Sequence, residues 1–391
     1  MERASPYRTG MSLRPVAGAF VLIGIYWGAW AVSAADIERS LGFSHAAFGL
    51  LLAGALTGAA AVNAAGGTLA ERWGPRRALR RGLAGWGVLL VLGALVHPVA
   101  VFAVATAAVV CLGGLVDVLM NIIATAAFTD RPGGLVRFHG LFNVGGAAGA
   151  LMCGLLLRAG VSWRGMWLLS GGIAFVLAAS TRAATDERPP VAESESLAAA
   201  LHAIRDGGLV LLSVAFAVAA MVEGAISTWG VLYLREQLAA GILLGTAAAT
   251  AGYAVAAVAR IGLGPLTGGG GAPRGVTIGA GLATGGLVLL TAANTAVLAG
   301  AGLVAAAMGI SMCWPLLLAR AAAGQERPGM VVAGMTAIGY LGLVLGPAFV
   351  GGLASAIGLR AGLLVVAGAA LFVIAVNVRS DGVHPRPRTV P

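Results

Sequence analysis

Apolar residues run in stretches of about 20, the length of helix that crosses a bilayer, with short polar breaks between them along the whole chain. The stretches lie at 16 to 35, 47 to 68, 80 to 97, 100 to 127, 139 to 158, 164 to 182, 208 to 233, 239 to 263, 275 to 293, 295 to 319, 330 to 355 and 360 to 378. They predict an all-α polytopic membrane protein with twelve transmembrane helices. The longest polar break, Ala183 to Gly207, holds Asp186, Glu187, Arg188, Pro189, Pro190, Glu193 and Glu195. It splits the pattern into two six-helix bundles, residues 15–182 and 208–378, as expected for two parallel repeats joined by a cytoplasmic linker, 183–207. Residues 1–14 and 379–391 remain as polar tails.

Composition sharpens this reading. The 391 residues are 59% hydrophobic and 10% charged, where a soluble chain carries roughly 25% charged residues, so soluble globular and disordered classes are excluded. The 61 glycines and 6% aromatics suit helices that approach through small residues. Every one of the 25 basic residues is Arg, which removes lysine-based chemistry. With the N-terminus inside, twenty of the 25 arginines fall on the cytoplasmic side, against Arg39, Arg158, Arg164, Arg235 and Arg360 on the other. That positive-inside bias puts both termini in the cytoplasm of a multi-pass cell-membrane protein, and it accounts for the basic charge with no nucleic-acid partner.

The first span is preceded by Arg3, Arg8 and Arg14 and ends in Ala31-Val32-Ser33-Ala34-Ala35, like a cleavage site. Its apolar run is too long for a signal peptide, and it is read as an uncleaved helix. Cys111, Cys153 and Cys313 sit in separate apolar segments as small buried residues. His45, His97, His202 and His384 lie in loops or near span ends with no second ligand at metal spacing. Neither a metal nor a cofactor is expected.

Between the second and third spans lies Gly67-Thr-Leu-Ala-Glu71-Arg72-Trp-Gly74-Pro-Arg76-Arg77. Such a loop can act as a charged latch, its acid at a helix N-terminus and its arginines on an acid at the inner end of a neighbouring helix; Asp130 is the candidate partner. A plain cluster of cytoplasmic arginines is the alternative. The loop resembles the signature of the major facilitator superfamily, G-x-L-x-D-R-x-G-R-R, with Glu71 in place of Asp. Gly160-Val-Ser-Trp163-Arg164 is similar to that family's G-x-x-W-R entry to the sixth helix. Gly339-Tyr340-Leu341-Gly342-Leu343-Val344-Leu345-Gly346-Pro347, followed by Gly351 and Gly352, is similar to its glycine- and proline-rich eleventh.

Within the family, three segments resemble the fucose permease and YbjJ-like branch: Asp117-Val-Leu-Met-Asn121, Arg137-Phe-His139-Gly140-Leu-Phe-Asn143-Val-Gly145-Gly146, and Glu223-Gly224 with Trp229 and Tyr233-Leu234-Arg235. The resemblance covers residues 15 to 378. It implies that spans one, four, seven and ten line a central cavity, that Asp117 is a protonatable carboxylate, and that the solute is sugar-like. The chain also departs from the pattern. Gly264-Pro265-Leu-Thr-Gly268-Gly-Gly-Gly271 stands where a second signature loop would carry an acid and a basic run, Phe128 stands where relatives have Glu, and span one has no acid.

Ionisable groups within a span are costly, which makes them functional candidates, and Asp117 and Glu223 fall one in each half. Protonation of a cavity carboxyl neutralises the cavity and favours closure, while the charged form favours an open, hydrated side; both acids are assigned to proton coupling. The alternatives are a hydrogen bond from Asn121 to Asp117 and an interhelical bond at Glu223. Gly113, Asp117, Asn121 and Thr125 follow at steps of four and share one helix face. Ser227 shares the Glu223 face, while Trp229 lies well round the helix. Arg260, near the inner end of span eight, is read as snorkelling or pairing at the cytoplasmic gate rather than touching the solute.

The candidate cavity residues are Tyr26, Trp27, Asn121, Asn143, Ser227, Trp229, Trp314 and Tyr340. For Tyr26 and Trp27, stacking on a solute and packing on neighbouring helices remain equal alternatives. The sum is a secondary active carrier of a small solute by alternating access, driven by protons, acting as a monomer in the lipid bilayer. A multidrug or metabolite efflux carrier is the second reading. An enzyme would need a nucleophile with a base, a metal cluster or a phosphate loop, and Gly268 to Gly271 lacks the Lys-Ser/Thr ending of the last. A non-transporting sensor would need an added cytoplasmic domain.

Overall fold

The computed structural model describes residues 13–127, 132–181, 197–262, 271–323, 325 and 328–380, and among these the chain is helical with no strand. The helices are α1 Arg14–Leu41, α2 His45–Trp73, α3 Pro75–Leu95, α4 Val99–Ala127, α5 Pro132–Arg158, α6 Arg164–Ser180, α7 Leu197–Asp206, α8 Val210–Gln237, α9 Ile242–Gly262, α10 Gly271–Ala292, α11 Ala296–Ala322, α12 Pro328–Ile357 and α13 Leu359–Ser380. Eleven contain a segment long and apolar enough to cross a membrane, and α6 is a shorter apolar helix of 17 residues. At about 1.5 Å per residue, α6 still covers most of a hydrocarbon core. The protein is an all-α, multi-pass membrane protein.

Several helices outrun the apolar stretches that announce them. α1 continues to Leu41 because Asp36 and Arg39 pair at 2.8 Å across its last turn and Gly42, at φ 71°, closes it by donating its N–H to the Glu38 carbonyl. The stretch read as a polar linker contains α7, which packs on α12 and α8. Leu197, Leu201 and Ile204 recur at helical spacing there, and Ile204 is buried.

The chain divides into two compact units. One holds α1, α2 from Leu51 onward, α3 to α6 and Ala249–Ala257 of α9; the other holds Ser44–Leu50 at the start of α2, α7, α8, the remainder of α9 and α10 to α13. In the first, α1 packs on α4, α5 and α6, and α3 packs on α4 and α6. In the second, α8 packs on α11, α12 and α13, and α10 packs on α11 and α13. Matching α8 to α1 and α10–α13 to α3–α6 reproduces these five pairs, and the second unit adds a packing of α12 on α13.

Helix packing combines a buried apolar core with close contacts through small residues. Small residues make the helix contacts, as between α1 and α5, where a Cβ on Gly28 would lie 2.0 Å from the Gly146 carbonyl oxygen. Large apolar side chains such as Val104, Val144, Val176, Val258, Ile278 and Val297 point outward, as a lipid solvent permits. α11 and α12 remain helical through Pro315 and Pro347, which neighbouring helices make tolerable.

One polar cluster ties three helices of the second unit. Arg320 of α11, 7% exposed, donates through Nη1 to the carbonyl and to Oδ1 of Asn377 on α13, which is fully buried. Asn377 Nδ2 donates in turn to the Pro273 carbonyl at 2.8 Å and to Thr277 Oγ1 at 3.0 Å, both on α10. Asn377→Leu removes one acceptor from a buried guanidinium and two donor bonds, at about 1–3 kcal/mol for each polar group left unsatisfied. A fall of roughly 2–4 kcal/mol in stability is expected, read as a lower unfolding midpoint in detergent. An unchanged midpoint would show that the cluster contributes nothing.

Candidate functional site

A charge inside a span is stable only when it is paired or hydrated, and the second unit contains such a pair. Glu223 lies midway along α8 and Arg260 near the end of α9. Arg260 Nη2 donates to Glu223 Oε1 at 2.8 Å, with the side chains 18% and 27% exposed respectively. Arg260 Nε is buried and has no hydrogen-bond partner among the described residues. The contact therefore uses one corner of a guanidinium that can offer two parallel bonds to a carboxylate. Next in sequence, Gly224 presses on α12, where a Cβ would stand 2.8 Å from the Leu343 carbonyl oxygen, and this fixes the height of Glu223 against that helix. Ser227 is exposed, and its hydroxyl donates to the Gly224 carbonyl of its own helix.

In the first unit Asp117 is held by its own helix. Asn121 Nδ2 donates to the Asp117 carbonyl at 2.9 Å and to Oδ1 at 3.3 Å, the bond that spacing four allows. One turn earlier Gly113 abuts the Trp86 indole, 3.2 Å from where a Cβ would be, and Trp86 Nε1 donates to the Val109 carbonyl. The side chain of Thr125 lies outside the described residues. Asn143 on α5 is 3% exposed, and its Nδ2 has no partner among the described residues.

The aromatic candidates divide between packing and partial exposure. Tyr26 is 3% exposed and sits among Trp27, Trp30, Trp86 and Trp167, with ring centroids 5.4, 6.3, 5.6 and 6.0 Å away. Its hydroxyl is buried with no hydrogen-bond partner among the described residues. Trp27 is half-buried against Ala55, Ala59 and Val110. Trp229 is fully buried: its indole donates to the Pro347 carbonyl and its ring meets His45 and Phe48 edge-on. Trp314 and Tyr340 come together, 6.3 Å apart, and Phe216 lies 4.5 Å from Trp314.

The loop motifs have clear local causes. Gly74 adopts φ 78° between α2 and α3, and Pro75 opens α3, so the glycine makes the sharp turn and the proline the helix start. Arg72 and Arg77 are exposed, Arg76 is half-buried, and the Arg81 guanidinium lies 4.6 Å above Trp73. The surroundings of Gly67, the side chains of Glu71 and His139, and the whole of Asp130 and Phe128 lie outside the described residues. In the other motif Trp163 Nε1 donates to Ser40 Oγ at 3.2 Å, and Arg164 Nη2 donates to the Val96 carbonyl at 2.7 Å. The pair thereby pins the start of α6 to the ends of α1 and α3.

Three features escape a reading by span. The partner of Glu223 is 37 positions away, and the sequence offers Arg260 as snorkelling or pairing at a gate without naming the acid it pairs with. His45 meets Glu236 at 3.4 Å in the second unit, although nothing near it in sequence offers a carboxylate at helical spacing. Arg320 and Asn377 are 57 positions apart, and a lone Asn in an apolar span is their only signal.

The family model of the Major Facilitator Superfamily matches residues 16–324. The chain belongs to the Major Facilitator Superfamily. It is 28% identical over 343 residues to an uncharacterized MFS-type transporter of Yersinia pestis, covering 85% of this chain and 86% of the relative. Among solved structures it resembles the nucleoside transporter NupG, with a TM-score of 0.72 at 12% identity over 94% of this chain and 99% of that one. It also resembles the human organic anion transporter MFSD10, with a TM-score of 0.66 at 14% identity over 94% of this chain and 100% of that one. At such identities these likenesses establish the fold. The repeated packing of the two units is the fold of this superfamily, and the protein is a member of a transporter family that acts on small molecules within the membrane.

Proposed function

We propose that this superfamily member is a proton-coupled secondary carrier of a small polar solute, and that the Glu223–Arg260 pair is its coupling switch. The observation that carries this reading is the pair itself, an acid and a base joined by one hydrogen bond inside membrane-spanning helices. Paired, the two charges neutralise one another. Protonation of Glu223 cancels its charge and releases Arg260, which then requires another anion or water. A proton and a solute thus select between two states of one site. Asp117, with its hydrogen bond from Asn121, is a second protonatable carboxyl on the proton's route, and the same single proton visits both acids in one cycle.

The resemblance to the fucose permease and YbjJ-like branch favours a sugar-like solute, and the likeness to a nucleoside transporter favours polar solutes in general. Trp27, Trp314, Tyr340 and Asn143 are proposed to contact the solute, and Gly67, Glu71, Arg72, Gly74, Arg76, Arg77 and Asp130 to form a cytoplasmic latch. The arginine bias favours a cell-membrane protein with both termini cytoplasmic, and a monomer is proposed as the working unit.

Purified protein in liposomes with a pH-sensitive dye inside tests the reading: solute added outside should move protons across the membrane. Asp117→Asn is expected to slow proton-linked uptake by about tenfold or more, the consequence of losing about 1.4 kcal/mol or more at the rate-limiting step. Solute flux with no proton movement in the unaltered protein would sink the coupling reading.

A further inference from the structure

We infer that the transported solute is an organic monocarboxylate, whose carboxylate replaces Glu223 on Arg260 while Glu223 takes up a proton. This rests on the coupling reading above and adds the chemical class of the solute. Arginine presents its N–H groups as a rigid fork whose Nε and Nη2 edge matches the two oxygens of a carboxylate. Glu223 occupies Nη2 with Oε1, while Nε is buried and has no partner among the described residues. A free carboxylate engaging both nitrogens makes one more charge-assisted bond than Glu223 does. The site holds its own acid by half of the available grip, which leaves that acid displaceable.

Charge decides among solutes. With Glu223 ionised, the pair is neutral and the site has no need of an anion. With Glu223 protonated, Arg260 carries one uncompensated positive charge inside the membrane, a costly state. A monocarboxylate restores neutrality. A neutral sugar leaves the charge standing, a cation adds to it, and a dicarboxylate overshoots to a net negative charge. The exchange balances: one proton adds to a Glu223 oxygen, the Arg260 bond to Oε1 breaks, two Arg260 bonds to the solute carboxylate form, and release reverses each step. One proton therefore accompanies each acid, and no net charge crosses.

Other titratable groups leave this balance intact. Of the helices packed on α8, α11 carries the buried thiol Cys313 and Arg320, which is held by Asn377. α12 carries Tyr340, α13 carries Arg360 and Arg379 near its two ends, and α7 carries His202, Arg205 and Asp206. On α8 itself the other charges, Arg235 and Glu236, lie more than three turns away.

The test uses the full chain in dye-loaded liposomes with matched probes: gluconate against glucose, lactate against lactamide, and succinate as the dicarboxylate. A monocarboxylate alone should acidify the lumen above protein-free liposomes, at a rate unchanged within about twofold by an imposed inside-negative potential, since no net charge moves. Arg260→Gln should lose the signal. Because that variant strands Glu223, the double variant Glu223→Gln with Arg260→Gln, which removes both charges, is measured alongside and should be folded and equally silent. Protons moving with glucose or lactamide would overturn the inference and leave the coupling reading standing. Arg260-dependent carboxylate exchange without proton movement would uphold the solute class and overturn the coupling reading. Silence with both monocarboxylates, or a flux that follows the potential, overturns the inference.

Discussion

Glu223→Gln is expected to abolish accumulation of solute against its gradient while leaving exchange of solute across the membrane. The amide has the shape of a protonated carboxyl and fixes the site in the state with Arg260 released. Solute can still bind and cross, but no proton travels with it. A pH difference of one unit is worth about 1.36 kcal/mol, or tenfold in concentration, when one proton accompanies one solute. The unaltered protein should approach that ratio, and the variant should settle at about equal concentrations. Labelled solute measured at steady state, with counterflow run in parallel, separates the two. Uphill accumulation by the variant equal to that of the unaltered protein would remove Glu223 from the coupling machinery.

Arg260 gives the complementary result. Leaving one member of a buried pair unpartnered costs about 3–5 kcal/mol, and the 18% and 27% exposure of these side chains places the loss at or below the lower end of that range. Arg260→Leu should therefore lower stability, and adding Glu223→Gln should recover it without recovering transport. A structural pair would show the first recovery and lose no transport in the double variant.

The parts of the molecule legible in its sequence are those fixed by local chemistry. Lipid demands about 20 apolar residues per crossing, so α1 to α6 and α8 to α13 announce themselves as runs. Gly74 before Pro75 announces a turn, and Trp163 with Arg164 announces a helix start. Helix ends are less legible, because polar residues such as Asp36 and Arg39 extend α1 where the apolar run has stopped. α7 lies in a stretch whose charges read as a linker. In the candidate site, each acid could be found from its cost in the membrane, and the bond from Asn121 to Asp117 follows from spacing. The union of Glu223 with Arg260 could not, since it depends on how α8 and α9 lie in three dimensions. Nor could the fate of the aromatics: Tyr26 and Trp229 look alike in an apolar run, and only packing separates them from the half-buried Trp27 and Trp314.

Gly28→Val is expected to prevent folding of the first unit, and Gly342→Val that of the second. Between helices in lipid there is little hydrophobic drive, so α1 and α5 associate through close backbone contact. A Cβ on Gly28 would lie 2.0 Å from the Gly146 oxygen, and one on Gly145 would lie 2.1 Å from the Val21 oxygen, so each helix carries glycines facing the other. In the matching pair, a Cβ on Gly342 of α12 would lie 1.9 Å from the Ala217 oxygen of α8. A backbone carbonyl cannot rotate aside as a side chain can, so the helices must separate along the whole contact. Overpacking a core costs typically about 1–3 kcal/mol when neighbours can adjust; here they cannot, and the loss should exceed that. Gly172→Ala and Gly352→Ala are the controls, because a Cβ at either meets nothing within 4 Å and alanine is better than glycine in a helix by up to about 1 kcal/mol. Size-exclusion chromatography of detergent extracts should show folded protein for both controls and aggregated protein for both valine variants. Folded Gly28→Val protein with an unchanged melting point would mean that α1 and α5 do not rely on this contact.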